Sequence, residues 1–105
     1  MNVERIGGFL GLALRSRQAV LGTDACRTLV RSGNCGVILL DEAAGVNTRK
    51  KTEDLCKRSG VPVIRIPEGT IEGATGKENM VMAVRKGSFA ETIIRESGTE
   101  TGYGY

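Results

Sequence analysis

The sequence predicts an α/β fold, a three-layer α/β/α sandwich with a central mixed four-stranded sheet. Short apolar segments alternate with segments of helical periodicity along the chain, as expected for a sheet covered by helices on both faces. The segment "GVILLD" (36–41) is apolar up to its last residue, which is typical of a strand buried on both faces. Because the 105 residues contain no internal repeat, we expect a single domain over residues 1–97.

The first predicted element is an amphipathic helix over residues 2–15. Its apolar residues recur at helical spacing: Val3, Ile6, Phe9, Leu10, Ala13 and Leu14. Gly7, Gly8 and Gly11 lower its helix propensity but would let a neighbouring element approach closely. The segment "AVLG" (19–22) is at most a very short strand, and a second helix is expected over about 23–32, ended by Gly33.

The alternation continues after the strand at 36–41. A helix is predicted over 47–59, with Gly60 at its end, and one face of it is formed by Thr48, Thr52, Leu55, Cys56 and Ser59. A strand over 61–67, a short helix over 69–76 and a strand over 80–84 follow. Ser88 and Glu91 indicate a capping box for the last helix. Residues 98–105 lack core periodicity, which predicts a flexible tail.

The charge is mildly basic and unevenly distributed. The net charge is +3. Residues 1–60 carry ten Lys/Arg and six Asp/Glu, whereas residues 61–105 carry five Lys/Arg and six Asp/Glu. A basic half is consistent with a polyanionic partner, although a net charge this small is also common in proteins that bind none. The N-terminal segment is too short and too charged for a membrane span and carries an acid where a signal peptide would be basic, so we expect a cytoplasmic protein with no membrane partner.

The residue types present argue against most kinds of catalytic site. The chain has no histidine and no CxxC pair, so we expect no metal, no cofactor and no Ser-His or Cys-His catalysis. Asp41 and Glu42 are adjacent at a strand end, where neighbours point to opposite faces, a poor arrangement for paired carboxylates. The string "GATGK" (73–77) lacks the spacing of a phosphate loop.

The three cysteines, Cys26, Cys35 and Cys56, are odd in number and widely spaced, which argues against a disulfide framework. Each stands beside apolar neighbours, so we expect all three to be buried. Cys26 would lie in the first turn of the second helix, where the helix dipole lowers a thiol pKa. A further hypothesis is therefore thiol or small-anion chemistry at Cys26.

The start of the second helix, within "VLGTDACRTLVRSG" (20–33), is the stronger candidate site. A helix N-terminus presents backbone N–H groups and a partial positive charge, which suits a phosphate. Gly22 would let the backbone approach a ligand, and Thr23 could cap the helix or bond an oxygen. The arginines near this start are Arg15, Arg17, Arg27 and Arg31. The alternative interpretation is a capped helix with solvated arginines.

Four strings in order carry a family resemblance: "LGLALRSRQAVLG", "GVILLDEAAGVNTRKKTEDLC", "GVPV" and "GKENMVMAVRKGSFAETI". Together they span about residues 8–95 and resemble the kink-turn RNA-binding superfamily of ribosomal proteins of the L7Ae and L30e type, in particular its short bacterial YlxQ-type branch. The resemblance implies an α/β/α sandwich without catalytic activity. It also implies a partner, kink-turn-like structured RNA such as ribosomal RNA, in a ribosome or translation-associated context.

In that superfamily the start of the second helix enters a sharply bent RNA at tandem sheared G·A pairs, and a loop before the last strand packs on a flipped-out nucleotide. The helix motif is a Gly, a small residue, Asn-Glu, two variable residues and Lys. Gly22 and Thr23 match it, and the loop maps onto residues 70–75, with Glu72 where glycine is usual. The implied RNA-binding residues are Gly22, Thr23, Asp24, Arg27, Thr28, Arg15, Arg17, Glu42, Ile71, Glu72 and Gly73.

The departures from the motif, Asp24, Ala25 and Thr28 in place of Asn, Glu and Lys, weaken the implied base contacts. An ionised Asp24 only accepts hydrogen bonds, so it either accepts from a guanine or merely complements the helix N-terminus. Ala25 offers no polar atom to a base. These losses leave open an alternative function, a protein–protein interaction module of the same fold with weakened RNA recognition, bound to a ribosomal or translation-associated protein.

The densest basic run, Arg49 to Lys51, falls in the first turns of the third predicted helix. Positive charge is unfavourable at a helix N-terminus. The run is therefore either a solvated helix face or a contact to an RNA backbone beside the second helix.

Overall fold

The computed structural model describes residues 1–98 as alternating helices and strands. The elements are α1 (Val3–Arg15), β1 (Ala19–Leu21), α2 (Thr23–Arg31), β2 (Cys35–Asp41), α3 (Val46–Ser59), β3 (Val63–Ile66), α4 (Thr70–Thr75), β4 (Val81–Arg85) and α5 (Ser88–Ser97). Each predicted element is present, with ends that differ by at most two residues from those predicted. The predicted tail over 98–105 lies outside the described residues except for Gly98, which ends α5.

The four strands form one mixed sheet in the order β1-β4-β2-β3. Strand β4 runs antiparallel to both β1 and β2, whereas β2 and β3 are parallel. The predicted mixed four-stranded sheet is therefore confirmed, and β1 is as short as expected. Strand β2 is buried on both faces, because successive side chains of a strand point to opposite sides.

The two sides of the sheet have separate hydrophobic cores. One side, the three-helix face, is covered by α1, α4 and α5, and its strand residues include Val37, Leu39, Met82 and Val84. The other side, the two-helix face, is covered by α2 and α3, and its strand residues include Ile38, Leu40, Val81 and Ala83. The three-layer sandwich is confirmed, and adjacent residues of β2 and β4 alternate between the two cores.

Close packing on the three-helix face depends on Gly11 of α1. A Cβ atom placed at Gly11 would lie 2.9 Å from the carbonyl oxygen of Ala74 in α4. The close approach predicted for the glycines of α1 is thus confirmed at Gly11. At Gly8 no atom lies within 4 Å of such a Cβ, so Gly8 is not required for packing.

The helix ends follow the predicted signals only in part. Gly60 ends α3 in the left-handed conformation, with φ at 68°, as expected of a C-terminal glycine. The predicted capping box at Ser88 and Glu91 is wrong. Gly87, with φ at 142°, is the N-cap of α5, and because Ser88 already lies within the helix its side chain does not cap it. Within residues 1–98 no helix has the length and apolar character needed to cross a membrane.

Candidate nucleic-acid interface

The carboxyl ends of β1 and β2 meet at one edge of the sheet, beside the start of β4. There the amide of Gly22 donates to the carbonyl of Val81 at 3.0 Å, and the amide of Asp41 donates to the carbonyl of Met80 at 2.8 Å. We call this boundary, formed by Gly22, Asp41 and Met80, the Gly22 edge. Helices α2 and α3 both begin here, so the positive ends of both helix dipoles lie at this edge.

Helix α2 begins without any side-chain cap. Its N-cap is Gly22, whose φ of 94° and ψ of 155° are readily adopted only by glycine. Thr23 is the first helical residue and does not cap the helix, so that part of the prediction is wrong. Among residues 1–98 no side chain therefore accepts from the amides of the first turn, and the backbone at Gly22 carries no side chain that would obstruct a ligand.

A segment of residues 76–80 lies next to this helix start. A Cβ atom at Gly22 would stand 3.6 Å from the Oδ1 atom of Asn79. The family's loop before the last strand was mapped onto residues 70–75, but those residues form α4, the helix predicted over 69–76, and the segment directly before β4 is 76–80. The sequence reasoning therefore missed Asn79, although the string "GKENM" (76–80) before an apolar strand was visible.

The polar residues of α2 interact with one another. The side chain of Asp24 is 94% exposed, and its Oδ1 atom lies 3.3 Å from Nη2 of Arg27, one turn further along the helix. The hydroxyl of Thr28 donates to the carbonyl of Asp24 at 3.1 Å. Two of the three departures from the family motif thus have local partners, since Asp24 pairs with Arg27 and Thr28 bonds within its own helix.

Asp41 organises the loops behind the Gly22 edge. Its carboxylate is buried and accepts from the amide of Ala43 at 2.7 Å and from the amide of Gly69 at 3.1 Å. The exposed Glu42 accepts from the amide of Glu68 at 3.4 Å. Through these hydrogen bonds Asp41 joins the β2–α3 turn to the β3–α4 turn, so its carboxylate has a structural role.

The other predicted contacts lie elsewhere. Ile71 is fully buried in the core of the three-helix face, so the structure gives its side chain a packing role in place of the predicted nucleotide contact. Glu72 is exposed on α4. Arg15 and Gly73 line a groove of about 450 Å³ between α1 and α4, on the three-helix face.

Arg17 lies at the far end of β1 from Gly22. The carbonyl of its neighbour Gln18 accepts from the amide of Arg85, at the end of β4, whereas Gly22 pairs with the start of β4. The three residues of β1 lie between Gln18 and Gly22, so the two are four residue steps, about 13 Å, apart along the strand. Arg17 has a positive φ of 60°, which is unusual for a non-glycine residue. Of the predicted residues, only those of α2 and Glu42 gather at the Gly22 edge.

A cleft of about 560 Å³ separates α2 from α3 on the two-helix face. Its walls carry five cationic side chains: Arg27, Arg31, Lys51, Lys57 and Arg58. Its floor is apolar and includes Cys26, Ile38, Leu55 and Val81. The helical spacing of Arg27 and Arg31 was visible in the sequence, but the sequence did not show that α3 stands opposite them.

The three thiols are buried and free, as expected. Burial raises the pKa of Cys26 to about 12, and the nearby thiols of Cys35 and Cys56 add to the rise. Burial also raises the pKa of Cys35 to about 11 and that of Cys56 to about 12. Because the thiolate is the reactive form, the hypothesis of an activated thiol at Cys26 is wrong.

The fold and the matched residues define the class. The chain belongs to the ribosomal protein L7Ae/L30e/S12e/Gadd45 family, whose family model matches residues 4–92. The predicted family membership is confirmed. Among characterised relatives, the chain is 37% identical over 87 residues to the RNA-binding protein YlxQ of Bacillus subtilis (strain 168), which covers 81% of this chain and 87% of that protein.

Solved structures agree with this assignment. A protein of unknown function from Bacillus halodurans C superimposes with a TM-score of 0.85 and 28% identity, covering 90% of this chain and 98% of that one. The Giardia lamblia 15.5kD RNA binding protein superimposes with a TM-score of 0.75, covering 92% of this chain and 85% of that one. At 12% identity, the second match shows a shared fold alone.

Proposed function

We propose that this protein is a non-catalytic, cytoplasmic RNA-binding protein that recognises kink-turn-like structured RNA in a ribosome or translation-associated context. Residues 1–97 act as one domain in this proposal. Family membership and the similarity to the RNA-binding protein YlxQ support it. The observation that carries it is the start of α2, where uncapped amides, a side-chain-free Gly22 and the amide group of Asn79 lie together.

This arrangement suits RNA because each part supplies a different contact. The first-turn amides of α2 donate to a phosphate or to an acceptor on a base edge. Gly22 allows the RNA to approach the backbone, and the amide of Asn79 can both donate and accept. Since Ala25 has no polar atom and the Thr28 hydroxyl bonds to its own helix, recognition depends on RNA shape and backbone more than on base edges.

The proposal is tested by titrating the full chain against a kink-turn RNA, the same RNA with its G·A pairs replaced by Watson–Crick pairs, and a straight duplex, each at two salt concentrations. We expect the kink-turn RNA to bind at least about tenfold more tightly than the duplex, as for shape-specific recognition. Equal affinity for all three RNAs would contradict kink-turn recognition.

The substitution Asn79→Ala tests whether the interface lies at the Gly22 edge. We expect about a tenfold loss of kink-turn binding, the effect of one lost hydrogen bond to RNA, with little change for the duplex. The matched control is Asn34→Ala, an exposed asparagine that precedes β2 at the opposite edge of the sheet. A pull-down whose protein partner survives ribonuclease treatment, together with no RNA preference, would favour the protein-interaction alternative.

A further inference from the structure

We propose that the cleft between α2 and α3 binds a single-stranded RNA segment that leaves the structured RNA at the Gly22 edge. The phosphates of this segment lie against the cationic walls, and one unpaired base lies on the apolar floor. The inference rests on the proposed function in taking RNA as the ligand, but it assigns a second contact surface that is separate from the helix start.

The cleft has the size and lining of a binding site. Its volume of about 560 Å³ falls within the usual range for sites that hold a small organic group. The deepest lining residues, Ile38 and Val81, are buried in the central strands β2 and β4, and Leu55 of α3 is the partly exposed apolar side chain above them. A planar base can rest on Leu55 while its sugar and phosphates remain at the solvent-exposed rim.

The cations of the cleft are available to a ligand. Within residues 1–98, Arg31, Lys51, Lys57 and Arg58 form no ion pair with a carboxylate. Arg27 pairs with Asp24, but this pair is exposed and therefore weak. The only acid among the lining residues is Asp54, so the walls present a clear excess of positive charge.

Helix dipoles account for only part of this charge. Arg31 lies in the last turn of α2, and Lys57 and Arg58 lie in the last turn of α3, where cations are favoured. The start of α3 is different. Helix α3 has no acidic residue in its first turn, and the basic run from Arg49 to Lys51 lies close to the positive end of its dipole. Like charges on facing helices also repel one another. A bound chain of phosphates neutralises both sources of repulsion, which is the charge complementarity that an anionic occupant requires.

Continuity with the Gly22 edge favours RNA over an acidic protein segment. Thr23 and Arg27 belong both to the first turns of α2 and to the wall of the cleft. A strand bound at the helix start therefore continues into the cleft without crossing another element. Arg27 and Arg31 lie one turn apart on α2, about 6 Å along its axis, and the planar guanidinium groups of arginine suit the bidentate recognition of phosphates.

The experiment measures binding by fluorescence anisotropy to a blunt kink-turn RNA and to the same RNA with a single-stranded extension of about five nucleotides at the 5′ or the 3′ end, a length chosen to exceed the footprint of a few phosphates. A labelled single-stranded oligonucleotide alone, and a poly-glutamate peptide of equal charge, complete the set. The test variant is the double substitution Arg31→Ala with Arg58→Ala. The matched control is Lys86→Ala with Arg95→Ala, which removes the same charge from exposed positions outside the cleft lining.

We expect one of the two extensions to tighten binding about tenfold at low salt, with a steeper salt dependence. The test variant should lose this gain and bind the blunt RNA normally, and the control should keep it. The proposal is overturned if neither extension tightens binding, if the control loses the gain equally, or if poly-glutamate binds the cleft as tightly as the oligonucleotide.

Failure of the proposed function has a different signature. If the kink-turn RNA binds no better than the duplex, kink-turn recognition fails. The cleft proposal is then judged on the oligonucleotide alone, whose binding must fall about tenfold in the test variant and remain unchanged in the control, as expected from the loss of two phosphate contacts.

Discussion

The two faces of the sheet are built from alternate residues of the same strands, yet they pack very differently. On the three-helix face the backbones come into close contact, since Cβ atoms at Gly11 and Gly36 would lie 2.9 Å from the Ala74 carbonyl and 2.6 Å from the Ala90 Cβ atom. On the two-helix face, α2 and α3 leave a cleft of about 560 Å³ between them. Three helices cover one side of the sheet and only two cover the other.

The difference shows how one small sheet serves both stability and binding. The three-helix face buries large aliphatic side chains such as Ile6, Leu10 and Ile93. The two-helix face buries smaller groups, including all three cysteines. Cationic and polar residues line the cleft that remains between α2 and α3 above this core. The tight face stabilises the fold, and the open face supplies the surfaces that we propose for RNA.

The largest expected effect comes from truncating neighbouring residues of β2. Leu39 faces the three-helix core and Ile38 faces the two-helix core, and both are fully buried. We expect Leu39→Ala to lower the free energy of unfolding by about 4 kcal/mol and Ile38→Ala by about 2–3 kcal/mol, because the space left by Ile38 adjoins an open cleft. Urea denaturation measures both. Equal losses would show that the two cores are equally tight.

The thiols make the two-helix face sensitive to alkali. Folding raises their pKa from 9.0 to about 11 or 12, so the unfolded chain loses these protons first as the pH rises. The stabilisation is fully present below pH 9 and is lost as the pH approaches the folded values. Relative to pH 8, we expect the ionisation of each thiol in the unfolded chain to lower the free energy of unfolding at pH 10 by on the order of 1 kcal/mol.

Urea denaturation at pH 8 and pH 10 tests this prediction, with the triple variant Cys26→Ala, Cys35→Ala and Cys56→Ala as the control. The control should show a much weaker pH dependence. An equally steep loss in the triple variant would rule out the thiols as its cause.

A smaller effect distinguishes two glycines of α1. We expect Gly11→Ala to destabilise the protein by about 1–3 kcal/mol, since its Cβ atom meets the backbone of α4. Gly8→Ala should stabilise it by about 0.5–1 kcal/mol, because alanine favours the helix and no atom lies within 4 Å. Thermal denaturation of the pair separates packing from helix propensity, and shifts of the same sign would contradict the close contact.

The smallest effect concerns Asp24, where α2 meets the Gly22 edge. Asp24→Asn removes a carboxylate that repels phosphates and releases Arg27 from its ion pair. We expect about threefold tighter binding to all RNAs at low salt, with the gain fading at high salt. The control Glu91→Gln, an exposed acid on α5, should change little. A selective loss of kink-turn binding would show instead that Asp24 accepts from a base.

Much of the fold was readable from local patterns. The apolar run of β2, the helical spacing in α1 and the glycine after α3 are each recognised from a few neighbouring residues. The structure confirmed all three. The capping box at Ser88 failed because the conformation of Gly87 moved the helix start by one residue. Ile71 was predicted to contact RNA because the family's loop was aligned one element too early, onto α4.

The sequence predicted where the candidate site lies but not all of the residues that form it. The sequence identified the start of α2, because glycine before a helix is a local signal. It did not reveal Asn79, which reaches Gly22 through the pairing of β1 with β4, or the loop-joining role of Asp41, whose hydrogen-bond partner Gly69 is 28 residues away. Such contacts depend on strand order, which cannot be predicted from the spacing of apolar residues along the sequence.

The sequence by itself determined the order of the elements, the apolar pattern of each element and the family. All three can be determined from the linear order of the residues. Only the tertiary structure decided that α2 and α3 stand side by side with a cationic cleft between them, and that Arg17 lies far from Gly22. The physical reason is that side-chain periodicity specifies which face of an element is buried. The element against which that face packs depends on the strand order of the whole sheet.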